Sequence, residues 1–341
     1  MLSTLIVGFG FSATTFHLPF LASLSTFSVN GVVTSKPDKV HHTLPNTMTY
    51  SSLDDALNHH RFDLVVITTP NHLHYVQTKR ALEAGCHVLV EKPFTLCSKE
   101  AAALVSLADK QNRKLCVFHN RRFDGDFLTV KKILSENALG DIKRYESRFD
   151  RFRPQPRDRW RENAGPGSGI FWDLGPHLID QALQLFGPPL KISADIMQLR
   201  DCAESDDNFD VTLYYAHHVV KLGSSSFQAG PTLRFDVQGT KGSFRKFHLD
   251  PQEEQLRRGL SMSDNDFAKT VDDENGTLFI DDGHRTIITE TGAYKAFYGM
   301  LADAIIHGSA LPADAQTVVS VIKTIEFAIQ ASKTQRIIDY K

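Results

Sequence analysis

Cysteine is scarce in this chain: only Cys86, Cys97, Cys116 and Cys202 are present, and no two form a Cys-x-x-Cys pair. The usual sequence signature of a thiol redox site or a zinc ribbon is therefore missing. Cysteine within apolar segments behaves as a small hydrophobic residue and is typical of a reducing compartment. We therefore expect a cytoplasmic protein.

An excess of charge of one sign is also absent. The chain has 38 lysine and arginine residues and 40 aspartate and glutamate residues, interspersed along its length. A protein that follows a phosphate backbone or an anionic membrane carries a basic stripe, so we expect neither nucleic acid nor membrane as a partner. The apolar segment 5–11 is interrupted by Gly8 and Gly10. We expect neither a secretory signal nor a membrane span.

Metal-ligand clusters are not evident in the sequence. His41-His42, His59-His60 and His72-x-His74 have the spacing of ligand pairs, but no cluster of cysteine or aspartate completes a site near them. Structural and catalytic metal sites need three or four ligands. We expect no metal ion.

Length and hydrophobic pattern indicate two domains, because 341 residues exceed the size at which a single core usually stops growing. Over residues 1–120, short β-branched runs alternate with amphipathic helical stretches, as in βαβ units on a parallel sheet. We predict a doubly wound α/β Rossmann domain here. The predicted strands are 4–7, 29–34, 63–68, 87–91 and 114–118, and the predicted helices are 52–57, 72–84 and 98–111, the last with Ser98 as N-cap.

Residues 121–341 follow a different pattern and are predicted to form an α+β domain. Strands predominate from 191 to 289 at the close spacing of an antiparallel or mixed sheet. The polar, acidic segment 251–275 is interpreted as a long surface loop. The predicted strands are 142–149, 192–199, 209–215, 219–227, 233–239 and 242–248, and the predicted helices are 126–136, 294–307 and 314–332.

The first chemical motif is a glycine-rich turn, Gly8-Phe9-Gly10-Phe11-Ser12-Ala13, between a predicted strand and a predicted helix. It matches G-x-G-x-x-G/A, in which the glycines permit a tight turn and close approach of a pyrophosphate to the helix N-terminus. A glycine-rich turn without a ligand is the alternative. We predict a dinucleotide site that includes Gly8, Gly10, Phe11, Ser12 and Ala13.

The segment after the second strand, Thr34-Ser35-Lys36-Pro37, is where a Rossmann fold contacts the adenosine ribose of its cofactor. Folds that prefer NAD place an acid here for the 2′-hydroxyl, whereas this chain has no acid before Asp38. Ser35 and Lys36 can hold a 2′-phosphate, so we predict NADP as the preferred cofactor, with NAD possible. Alternatively, Lys36 is a solvated turn residue.

Two further motifs suggest catalysis. Glu91-Lys92-Pro93 lies at the carboxyl end of a predicted parallel strand, where open α/β sheets bind their ligands, and Pro93 stiffens the turn that carries Lys92. Asp173 and His177 are four residues apart, close to Pro176, which we place in the first turn of a helix. Such a pair suits proton transfer, although an N-cap aspartate and a buried helix histidine remain open interpretations.

The order and spacing of these motifs resemble the glucose-fructose oxidoreductase, inositol dehydrogenase and rhizopine-catabolism (Gfo/Idh/MocA) family over essentially the whole chain. Thr69-Pro70-Asn71-His72-Leu73-His74 and Asn120-Arg121-Arg122-Phe123-Asp124 add to the resemblance. Within the family, the chain most resembles the branch that holds NADP-dependent scyllo-inositol dehydrogenases, through the motifs Phe16-His17-Leu18-Pro19 and Trp160-Arg161.

The resemblance implies catalytic roles for Lys92, Asp173 and His177 and nicotinamide contacts for Asn71 and Glu91. It extends the predicted cofactor site to Thr69, Pro70 and His74, and it implies a large, mostly antiparallel open sheet used to form a homodimer or homotetramer. The expected activity is reversible hydride transfer between NADP and a secondary alcohol or ketone of a polyol or sugar, such as an inositol.

Substrate contacts are predicted for Asn120, Arg122 and Trp160, in addition to Asp173 and His177. The alternative interpretation is that the basic segment 151–161 forms ordinary surface ion pairs. Two other functions stay open: a dinucleotide-sensing regulator of the same fold that does not catalyse, and a reductase of a non-sugar substrate such as an imine, enone or linear tetrapyrrole.

Overall fold

The computed structural model describes residues 1–340 and contains two compact units. The first unit comprises Met1–Asn120, Leu256–Gly259 and Tyr294–Ile322, and the second comprises Arg121–Gln255, Leu260–Ala293 and the chain from Lys323 onward. The domains predicted from the sequence are continuous, 1–120 and 121–341. The first unit additionally includes two later segments, which periodicity alone does not assign to it.

The first unit is built on a six-stranded sheet. Its strands are β1 (Leu2–Val7), β2 (Phe27–Val33), β3 (Met48–Tyr50), β4 (Leu64–Ile67), β5 (His87–Val90) and β6 (Leu115–Val117). All neighbouring strands are parallel, in the order β3-β2-β1-β4-β5-β6, which is the Rossmann order. The central strand β4 is fully buried, as expected of a parallel strand with apolar side chains on both faces. The predicted Rossmann domain is confirmed.

Helices connect these strands: α1 (Leu18–Ser23), α2 (Pro37–Thr43), α3 (Leu53–His59), α4 (His74–Glu83) and α5 (Ser98–Lys110). The hydroxyl of Ser52 caps α3 by accepting from the backbone N–H of Asp55 at 3.1 Å. The prediction that Ser98 is an N-cap is wrong: Cys97, with extended φ and ψ, is the N-cap of α5, and Ser98 is already helical.

The second unit contains a nine-stranded sheet. Its strands are β7 (Ile142–Arg148), β8 (Lys191–Met197), β9 (Asn208–Tyr214), β10 (Val219–Ser225), β11 (Leu233–Gly239), β12 (Ser243–Phe247), β13 (Gly276–Ile280), β14 (Gly283–Ile287) and β15 (Ile338–Asp339). The order is β14-β13-β12-β11-β7-β10-β9-β8-β15. Only β7 and β10 are parallel, with Lys221 opposite Glu146, so the predicted large, mostly antiparallel sheet is confirmed.

The remaining helices are α6 (Gly125–Ser135), α7 (Ile170–Phe186), α8 (Gln252–Arg257), α9 (Tyr294–His307) and α10 (Ala315–Thr334). Arg234 on β11 is fully buried and joins two of them to the sheet. Its Nη2 donates to Oε1 of Gln181 on α7 at 2.7 Å, and its Nε donates to Asp126 on α6 at 3.1 Å. A buried guanidinium requires such partners, so α6 and α7 are held in place by a single side chain.

Two sequence interpretations of this unit are wrong. Pro176 is not in the first turn of its helix, because α7 begins six residues earlier at Ile170. Segment 251–275 is not a plain loop: it contains α8 and the short 3₁₀ helix Asp272–Glu274. The polar, acidic composition suggested a loop, but Glu253 and Glu254 lie in the first turn of α8, where negative charge favours a helix.

Candidate active site

The glycine-rich turn follows β1 directly and has one crowded and one open glycine. Gly8 has φ +93°, and a Cβ there would lie 2.9 Å from Oγ1 of Thr68. Around Gly10, no atom of the described residues lies within 4 Å of the position that a Cβ would take. A tight turn followed by exposed backbone is what close approach of a diphosphate requires, so the residues present are suited to a dinucleotide.

The helical segment after this turn begins as a π-helix, Ala13–His17, before α1. Its last residue, His17, is fully buried, with Nε2 3.0 Å from Oε1 of Glu91 and Nδ1 3.1 Å from the hydroxyl of Tyr298. The hydroxyl of Ser12 also donates to Glu91. π-Helical turns are frequent at functional sites, and this one joins the glycine turn to the Glu91-Lys92-Pro93 motif.

Glu91 is held in its ionised form by these neighbours. Burial on its own raises the pKa of the carboxyl, but the hydrogen bond and charge of His17, together with the Ser12 hydroxyl and Lys92, outweigh it and lower the pKa to about 2. The second oxygen, Oε2, accepts from the backbone N–H of Lys92 at 3.1 Å. Both oxygens of Glu91 therefore have partners within the protein.

Lys92 lies on a turn that is anchored on both sides. The Lys92–Pro93 peptide is cis, and the Pro93 carbonyl lies 2.7 Å from Nδ1 of His74. Nε2 of the same ring lies 2.9 Å from the carbonyl of Thr69. Burial lowers the pKa of His74, although both carbonyls favour its protonated form. His74, predicted as a cofactor residue, is thus fully buried between two backbone segments that carry Thr69 and Lys92.

The other predicted cofactor residues lie around these turns. Asn71 is buried and begins a short 3₁₀ helix after Pro70, and Oγ1 of Thr69 donates to Gln77 at 2.6 Å. Ser35 and Lys36 are exposed just beyond the carboxyl end of β2. The strand order places this end beside β1, whose own end carries the glycine turn, and the backbone N–H of Gly8 donates to Val33 at 2.9 Å.

In the second unit, α7 carries Asp173 in its first turn and His177 four residues later. The helix begins after Gly169, which has φ +96°, and its first turn is capped by Asp206. Oδ2 of Asp206 accepts from the backbone N–H of Phe171 at 2.7 Å. Burial raises the pKa of Asp206 to about 6, although this hydrogen bond opposes the rise.

Asp173 is the more accessible member of the predicted pair. Its Oδ1 lies 3.8 Å from Nε of Arg161, whereas His177 is buried with 5% of its surface exposed. Arg122, predicted to bind substrate, directs Nε and Nη2 to the two oxygens of Asp180 at 2.8 and 2.6 Å. Trp160 is exposed beside Arg161, and Asn120 is buried.

Sequence reasoning did not assign a role to Tyr298 or Asp206, and it noted His17 only as part of a family pattern. Tyr298 lies on α9, 281 residues from its partner His17, so no local signal connects them. Asp206 lies 35 residues from the N–H that it caps. The N-cap residue of α7 is Gly169, which has no side chain that could reveal the start of the helix in the sequence.

Comparisons with known protein families cover nearly the whole chain. Residues 2–119 match the model of the oxidoreductase family GFO_IDH_MocA, described as an NAD-binding Rossmann fold. Residues 131–340 match the C-terminal alpha/beta domain of the same family. Within residues 1–340, no helix is long and apolar enough to cross a membrane.

Individual relatives are similar at full length. An uncharacterised oxidoreductase of Escherichia coli, YdgJ, is 41% identical over 96% of this chain and 95% of its own. The Bacillus subtilis protein IolW, a scyllo-inositol 2-dehydrogenase (NADP(+)), is 37% identical over 98% of this chain and 94% of its own. The solved structure of Bacillus subtilis yvaA superimposes with a TM-score of 0.96 at 36% identity, covering 100% of this chain and 98% of that one.

Proposed function

Since the chain belongs to the Gfo/Idh/MocA oxidoreductase family, we propose that it transfers a hydride reversibly between NADP and a secondary alcohol or ketone of a polyol or sugar. The observation that carries the proposal is the Ser12–Glu91 contact, which places the turn bearing Lys92 against the glycine turn. The name of the relative IolW supports an inositol-like substrate and NADP.

The bound nicotinamide supplies the hydride acceptor or donor. The chain supplies the groups that handle the proton and the developing charge. In the proposed roles, the Lys92 ammonium donates to the reacting oxygen and stabilises the alkoxide, and His177 takes up or returns the hydroxyl proton. Asp173, on the same helix, stabilises the protonated ring.

Cofactor contacts in the proposal follow the fold of the first unit. The backbone at Gly10, with Phe11, Ser12 and Ala13, would bind the diphosphate, and the exposed Ser35 and Lys36 would bind the 2′-phosphate. Asn71 and Glu91 would lie at the nicotinamide end. We also propose that the protein works as a homodimer or homotetramer, as the family resemblance implies.

A turnover screen tests the proposal. The purified protein is incubated with NADP and, separately, with NAD against inositols, aldoses and their keto forms, while nicotinamide absorbance is followed. We expect turnover with at least one polyol or ketose and a higher kcat/KM with NADP. NADPH binding without turnover of any of them, but with release by a partner protein, would favour a dinucleotide sensor. Turnover restricted to imines or enones would favour a non-sugar reductase.

A further inference from the structure

Arginine side chains crowd a depression beside Asp173 in the second unit. The depression contains about 410 Å³ of space not occupied by atoms, part of which is open solvent. The arginines that line it are Arg151, Arg153, Arg159, Arg161 and Arg200. Only three carboxylates line it with them, so the wall carries an excess of positive charge.

Two of the three carboxylates in this wall, Glu162 and Asp206, already accept short hydrogen bonds from the protein. Glu162 accepts from Nε of Arg159 at 2.5 Å, from Nη1 of Arg200 at 2.9 Å and from Nε of Arg157 at 3.0 Å. Asp206 caps helix α7. The third carboxylate is Asp173, whose Oδ1 lies 3.8 Å from Nε of Arg161.

Arg151 and Arg153 reach the depression from an extended segment. Their backbone N–H groups donate to Ser225 and Ser226 at 2.9 and 2.8 Å. Alternate residues of an extended chain point to the same side, so both side chains face the depression. Among residues 1–340, no carboxylate lies within 4.0 Å of either guanidinium, whereas Arg159 has one and Arg200 has two within that distance.

The environment of these two guanidinium groups favours an incoming anion. Arg151 is held over the ring of Phe149 at 5.1 Å from its centroid. Burial, and then the neighbouring positive charge of Arg151, Arg157 and Arg159, lowers the pKa of Arg153 to about 10. A carboxylate or phosphate group would relieve this repulsion and match the planar donor geometry of arginine.

We propose that this depression binds a carboxylate or phosphate group of the substrate through Arg151 and Arg153. The inference rests on the proposed function, since it is the proximity of Asp173 that makes the anion part of the substrate rather than a separate ligand. The substrate class is then narrowed to acidic sugars and polyols, such as hexuronates or polyol monophosphates.

Matched substrate pairs test this inference. The complete protein with NADP is assayed with glucuronate against glucose and with inositol monophosphate against inositol, and Arg153→Gln is compared with Arg285→Gln, an exposed arginine on β14 that undergoes the same charge change. We expect kcat/KM to favour one acidic member at least tenfold, and Arg153→Gln to lower this acidic-to-neutral ratio about tenfold. Arg285→Gln should leave the ratio unaltered.

Calorimetric titration of the NADP complex with the same compounds, and with inorganic phosphate, separates the possible failures. Turnover of neutral substrates without preference for either acidic partner would overturn the inference and leave the proposed function standing. Binding of the acidic compounds that Arg153→Gln weakens, without turnover of any compound, would instead remove the proposed function. Binding of inorganic phosphate as tightly as the acidic sugars would also overturn the inference, because the sugar would then contribute nothing.

Discussion

Nε2 of His17 lies 3.0 Å from Oε1 of Glu91, and this contact joins the two motifs that the sequence presents separately. The hydroxyl of Ser12, in the glycine turn, and the backbone N–H of Lys92, the residue after Glu91, donate to the same carboxylate. Because both oxygens are engaged, Glu91 fixes the position of the backbone that carries Lys92.

The two glycines of the turn should respond differently to substitution by alanine. Gly10→Ala should leave the unfolding temperature nearly unchanged, since no atom of the described chain crowds that position, yet lower NADPH affinity at least tenfold by blocking the diphosphate. Gly8→Ala should destabilise the fold by about 1–3 kcal/mol because of its φ of +93° and the contact with Thr68. Thermal unfolding and NADPH fluorescence titration measure both effects. Unaltered NADPH binding by Gly10→Ala would remove the diphosphate from this turn.

Replacing Lys92 with alanine should separate chemistry from cofactor binding. We expect kcat to fall about a hundredfold or more, because the alkoxide loses its charged donor, while NADPH affinity changes less than about threefold. Lys99→Ala, at an exposed position of α5, serves as the control and should retain full activity. Wild-type turnover by Lys92→Ala would sink the catalytic assignment.

Cofactor preference should follow the charge just beyond β2. Lys36→Asp should weaken NADPH binding about tenfold or more and strengthen NADH binding, because it repels the 2′-phosphate and offers an acceptor to the 2′-hydroxyl. Lys39→Asp, exposed on α2, makes the same charge change as a control. Dissociation constants for both cofactors measure the switch. If the wild-type protein binds NADH more tightly than NADPH, the predicted preference for NADP is wrong.

The low pKa of Glu91 predicts a pH-dependent contribution to stability. The folded state lowers this pKa from 4.5 to about 2, so the contribution is complete above about pH 4.5 and is lost as the pH falls towards 2. It is on the order of 3 kcal/mol at neutral pH. The difference in unfolding free energy between wild type and Glu91→Gln, from urea titrations at pH 7 and pH 3, should shrink by more than half. Glu83→Gln, whose exposed partner Lys79 is 3.8 Å away, should show a difference below about 1 kcal/mol at either pH.

Much of the Rossmann half was accessible from the sequence, because buried parallel strands such as β4 and β5 are continuous apolar runs with clear helical stretches between them. The predicted strand bounds differ from those found by one or two residues. The three-residue edge strand β3 was missed, since Met48, Thr49 and Tyr50 are too few to show a period. The strands β13 and β14 lie within a region recognised as strand-rich, but β13 alternates over only three residues and the side chains of β14 are almost all exposed.

The candidate site was predictable where its residues are close in sequence and not where contacts are distant. Gly8 to Ala13 and Glu91 to Pro93 form local turns whose composition reflects their geometry. The start of α7 was misplaced because its cap, Asp206, comes from the segment between β8 and β9. Arg122 pairs with Asp180, fifty-eight residues away, and no local pattern in the sequence predicts that contact.

The exposure of Ser35 and Lys36 has a consequence for how this scaffold diversifies. Gly8 lies against Thr68 and donates its backbone N–H to Val33, so the glycine turn cannot vary at this position without loss of stability. Ser35 and Lys36 are both exposed, so substitutions that change the charge at these positions cost the folded state very little. If these residues bind the 2′-phosphate as proposed, point substitutions beyond β2 can change the preference between NADP and NAD while the core is inherited intact.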